Sequence, residues 1–88
     1  MSEITGEYVD DTLKMFWVAD IKLKGDYGLL KNCWIYNINE KEPINNKEEI
    51  EHKLKNDYNR IDFQNKRCSG YTSAGNIEWF KIHKILSN

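Results

Sequence analysis

The sequence predicts an α+β domain, a small two-layer sandwich built as β-hairpin, helix and β-hairpin, with one antiparallel sheet and one helix on one of its faces. Three observations predict it. Residues 12–24 alternate with a period of two: Leu13, Met15, Trp17, Ala19, Ile21 and Leu23 are apolar, and Lys14, Asp20, Lys22 and Lys24 fall on the other parity with Phe16 and Val18. That is the pattern of a strand with one buried and one wetter face. A second strand-like run follows a glycine-bounded reversal, and one segment further on carries both a helix start signal and a helical apolar stripe.

The reversal is Gly25-Asp26-Tyr27-Gly28, whose two glycines supply the positive φ angles of a tight turn. Residues 29–38 form the next strand. Its more apolar face is Leu30, Asn32, Trp34, Tyr36 and Ile38, and its other face is Leu29, Lys31, Cys33, Ile35 and Asn37. Neither face is wholly polar, so this strand is placed inside the sheet. After a polar connection containing Pro43, Asn46 is the N-cap of a helix and Glu49 stands at the capping-box position. Acidic residues crowd the first turns and basic ones the later turns, in accord with the helix dipole. The apolar stripe Ile50, Leu54, Tyr58, Ile61 is one residue wide, so the helix covers one sheet face. Residues 62–66 read as a polar link. A short strand is expected at residues 67–72, a turn at Ser73-Ala74-Gly75-Asn76, and a last strand at residues 77–86, where aromatic and β-branched content favours strand over helix. These last two strands are expected to pair as the second hairpin. Residues 1–11 read as an N-terminal arm or short edge strand ahead of a single domain at 12–88.

Composition narrows the function classes. With 88 residues the chain makes one domain with a thin core. Thirteen basic against fourteen acidic residues, a net charge of -1, speak against a nucleic-acid protein driven by bulk charge. No apolar run is long enough to span a membrane, and the acidic N-terminus lacks the basic start of a signal peptide, so a cytoplasmic location is expected. Two cysteines do not make a disulfide framework. Heavy use of Asn, Lys, Ile and Tyr reflects A/T-rich codons, the style of a low-GC bacterium or its phages.

Nothing specifies an enzyme. Cys33, His52, Cys68 and His83 lack metal-ligand spacing, so no metal or cofactor is expected. Cys68, after Arg67, is the more reactive-looking thiol, yet neither it nor His83 stands in a nucleophile–base pattern. The informative feature is an aromatic surplus of three Trp, five Tyr and three Phe. One narrow helix covers one sheet face, which leaves Phe16 and Val18 among Lys14, Asp20 and Lys22 on the other, joined by one face of the last strand, either Trp79 or Phe80 with Ile82. An apolar patch rimmed by charges is the mark of an interaction site. The expected function is therefore a small non-enzymatic protein-binding module using that face. Its partner would be another protein or a second copy, as for a phage or mobile-element accessory protein that inhibits a host protein by occluding it. The alternative is single-stranded nucleic-acid binding, with bases stacked on Phe16, Trp34 or Trp79 and phosphates met by Lys14, Lys22, Lys24 and Lys31.

Overall fold

The computed structural model describes residues 14–56, 58 and 60–87, the side chains of Lys14 and Ser87 excepted. The expected arm at residues 1–11 lies outside the described residues. Among the described residues five strands form one antiparallel sheet: β1 (Lys14–Leu23), β2 (Leu29–Tyr36), β3 (Ile61–Gln64), β4 (Ser69–Thr72) and β5 (Ile77–Ser87). One helix, α1 (Lys47–Asn56), separates β2 from β3, and a 3-10 turn at Ala74–Asn76 separates β4 from β5. The spatial order is β4-β3-β2-β1-β5. The α+β class, the single antiparallel sheet and the single helix are thus as the sequence predicts.

The first hairpin turns where the glycines put it, with Gly25 at φ 91° and Gly28 at φ 70°. Lys22 closes this end, its Nζ donating to the carbonyls of Leu23 at 2.7 Å and Gly25 at 3.2 Å. β2 lies between β1 and β3, the interior position expected of it. α1 starts at its predicted cap: Asn46 Oδ1 accepts the Glu49 backbone N–H at 2.9 Å. It ends earlier than its stripe suggested. Asn56 closes the helix, Tyr58 is exposed, and Ile61 opens β3 instead of completing a fourth turn. Asn and Asp compete with helical hydrogen bonds through their own side chains, and residues 56–59 read Asn-Asp-Tyr-Asn.

The second hairpin is therefore β3 with β4, not the expected pairing of residues 67–72 with 77–86. Asn65 makes its turn, accepting the N–H groups of Arg67 at 2.9 Å and Cys68 at 2.8 Å on one side-chain oxygen. β5 instead runs the length of β1, from Lys14 opposite Ser87 to Leu23 opposite Ile77. Four residues then link the two outer strands, β4 and β5. In a flat five-stranded sheet those strands would stand about 19 Å apart, whereas a link containing a 3-10 turn spans roughly 12 Å. The sheet must coil, and it does so around one core: Ala19, Ile21, Cys33, Ile35, Ile61 and Phe63, closed by Ile44 and by Ile50 and Leu54 of α1.

A bulge decides which residues of β2 enter that core. Ala19 pairs with Cys33 but Ile21 with Leu30, so β2 carries one residue more than β1 here. Asn32 absorbs it at φ 57°, a left-handed conformation that Asn tolerates. Beyond the bulge the faces exchange. Cys33 and Ile35 are buried under α1, and Trp34 and Tyr36, which strict alternation groups with Leu30, belong to the other side. Past Cys33, β2 parts from β1 and the connector fills the gap: Ile44 N–H donates to the Ile35 carbonyl at 2.7 Å. The Asn45 side chain accepts from Trp17 N–H at 2.9 Å and donates to the Met15 carbonyl at 3.3 Å.

Candidate functional site

The helix-free face of β1 and its neighbours is where the sequence places the binding site, and register places each residue on it. Phe16, Val18, Asp20 and Lys22 lie there by alternation with Ala19 and Ile21, as does Lys14, whose side chain is outside the described residues. Phe80 and Ile82 do not. Phe80 pairs with Ile21 and Ile82 with Ala19, cross-strand partners share a face, and both pack against the core beneath α1. The residues of β5 that belong to the helix-free face are Trp79, Lys81, His83 and Ile85, opposite Lys22, Asp20, Val18 and Phe16.

Val18 is also a correction, because its side chain is fully buried and meets no partner. Phe16 stacks on Trp34 with ring centroids 5.0 Å apart and an interplanar angle of 19°. On the other side of Val18, Asp20 Oδ1 lies 3.1 Å from Nε2 of His83, the residue paired with Val18. The middle of this face is thus a second, smaller packed cluster and not open apolar surface. Its bulge partner contributes too: the Asn32 backbone N–H donates to Asp20 Oδ1 at 2.9 Å. Partial burial pushes the Asp20 carboxyl up, but Asn32, His83 and the charge of Lys31 outweigh it and hold it below its ordinary value. Stability from a lowered carboxyl is present above its unfolded pKa and is lost as pH falls through the folded one. Denaturation midpoints of the native chain should therefore fall below about pH 4, and Asp20→Asn should flatten that acid limb by lowering the neutral midpoint toward the acid one.

Exposed apolar surface survives at the turn end of the face. Leu29 and Trp79 both pair with Lys22, one from each side, and are 40% and 45% exposed. Lys22 itself is held by the turn carbonyls and stands 3.7 Å from Glu78. Two aromatic rings elsewhere already have a cation over them. Arg60 lies over Tyr71 at 4.8 Å, while on the helix-bearing side Lys84 and Lys47 lie 4.8 and 5.8 Å from the centre of Trp17.

The chemistry-bearing residues are dispersed. Cys33 is buried, its thiol pushed up to about 12 by burial despite a hydrogen bond from Asn65, and Cys68 is exposed. Among the described residues no three His, Cys, Asp or Glu side chains gather into a metal-holding group. An open cleft of about 750 Å³ runs along α1 past His52, Glu48 and Glu49, and the described residues that line it include neither a cysteine nor a serine. No helix among the described residues is long and apolar enough to cross a membrane. No family model, curated protein or solved structure matches this chain.

Proposed function

We propose that the protein is a non-enzymatic protein-binding module that engages its partner through the turn end of the helix-free sheet face. The observation that carries this reading is the row Leu29–Lys22–Trp79, two large apolar side chains exposed on either side of an aliphatic lysine stem whose charge is already satisfied. Such a row offers apolar area at little desolvation cost, and tryptophan is a preferred anchor of protein interfaces. Base stacking is less well served. Phe16 and Trp34 stack on each other, Arg60 lies over Tyr71, and the Lys22 ammonium beside the exposed Trp79 is committed to carbonyl groups, so these rings and this cation are less free for bases and phosphates.

The test compares charge-introducing variants at exposed positions. Trp79→Asp and Leu29→Asp should keep the circular dichroism of the native chain and weaken association, with itself or with a protein retained from the source extract, at least tenfold. Ile38→Asp, 52% exposed in the connector, should keep both the circular dichroism and the association of the native chain. Association that survives both face variants, or affinity for single-stranded oligonucleotides that collapses with salt, would overturn the reading.

A further inference from the structure

A separate surface lies on the opposite, helix-bearing side of the β1–β5 ribbon. Met15 and Leu86 pair there and are 50% and 64% exposed. One step along the same face Trp17 pairs with Lys84, and Lys47 approaches the same indole from the first turn of α1. Neither lysine has a carboxylate partner among the described residues. The patch is therefore an apolar pair beside an indole that carries two cations.

Charge in this chain is distributed unevenly. All thirteen basic residues fall at Lys14 or later, whereas four of the fourteen acidic ones, Glu3, Glu7, Asp10 and Asp11, precede it, so residues 14–88 carry a net charge of +3. The same leading stretch supplies Ile4, Tyr8 and Val9. It joins the sheet at Lys14, one residue from Met15 and three from Trp17, roughly 10 Å along a strand. Asp10-Asp11-Thr12 is the kind of sequence that reverses a chain through side-chain-to-backbone hydrogen bonds. A tether this short holds a segment at an effective concentration on the order of millimolar.

We propose that residues 1–13 are the occupant of this patch, an acidic strap of the same chain whose carboxylates meet Lys84 and Lys47 while Ile4, Tyr8 or Val9 cover Met15 and Leu86. The contact is one that ionic strength weakens, since its charges are near the surface. It concerns the side of the ribbon facing away from Leu29 and Trp79, so its failure leaves the protein-binding reading untouched.

The experiment is nuclear magnetic resonance on the full chain. Expected are cross-relaxation contacts from Ile4, Tyr8 or Val9 to the Trp17 indole and Leu86 methyl groups at low salt. These should be lost in Lys47→Glu/Lys84→Glu and at 1 M salt, with resonances of Ile21 and Ile35 unmoved as the sign of an intact fold. Three results would overturn the proposal: no such contacts, contacts from the segment to Phe16 and Trp34 instead, or contacts seen only between differently labelled molecules, which would make a second copy the occupant.

Discussion

Val18→Asp should unfold the domain. Val18 is fully buried on a face that carries no helix, in register with His83 and beside Phe16 and Asp20 on its own strand. A carboxylate placed there has no cation reserved for it. It lies one position from each of two ordered pairs, the Phe16–Trp34 stack and the Asp20–His83 contact. The cost of an uncompensated buried charge is several kcal/mol, set against a total stability of about 5–15 kcal/mol for a domain of this kind. The near-isosteric Val18→Thr isolates the polar part of that cost, about 1–3 kcal/mol for a buried hydroxyl without a partner. Urea denaturation followed by tryptophan fluorescence measures both. A Val18→Asp protein with an unchanged midpoint would mean that the site is open to water and that the second cluster does not exist.

The other large effect is expected at the helix. Ile50 and Leu54 are the two residues of α1 that reach the core, 0% and 2% exposed, and the helix is otherwise polar or charged. Leu54→Ala should cost about 2–5 kcal/mol, the usual range for emptying a buried leucine site. Ile50→Ala should cost a similar amount. Because both side chains fill one space their effects should not add, a signature that a double-mutant cycle reads directly. Glu48→Ala on the exposed side should stay within about 0.5 kcal/mol of the native chain. If Leu54→Ala unfolds at the native midpoint, α1 is an attachment to a self-sufficient sheet and not the lid of its core.

Much of this architecture was legible because it depends on neighbours in the chain. The glycines at 25 and 28, the Asn46 cap and the alternation of β1 are local signals, and each produced the element it indicated. The last segment forms a strand, as its aromatic and β-branched content suggested. What was not legible depends on distant partners. Ile61 continues the helical spacing of Ile50, Leu54 and Tyr58 as well as it opens a strand, and only pairing with Thr72 decides between them. The exchange of faces at Asn32 leaves no mark in composition, yet it sends Cys33 and Ile35 inward and Trp34 outward. The expected placement of Phe80 and Ile82 on the helix-free face failed for the same reason. Either parity of that strand is apolar enough to be buried, and the choice is made by which residue stands opposite Ile21. Of the residues expected on the site, Phe16, Asp20 and Lys22 share the face as foreseen. Register decides for Trp79 over Phe80 with Ile82, and it alone adds Leu29 and Trp34.

The pairing of β1 with β5 ties together positions such as Val18 and His83, more than sixty residues apart in the sequence. Contacts of that span carry a high loop-closure cost before they return any stability, and domains dominated by them assemble slowly. Synthesis runs from β1 to β5, so on the ribosome β1 can be joined to β2 while its other edge waits for a strand still to be made. During that interval the chain carries a bare row of amide and carbonyl groups, the kind of template on which unfinished proteins clump.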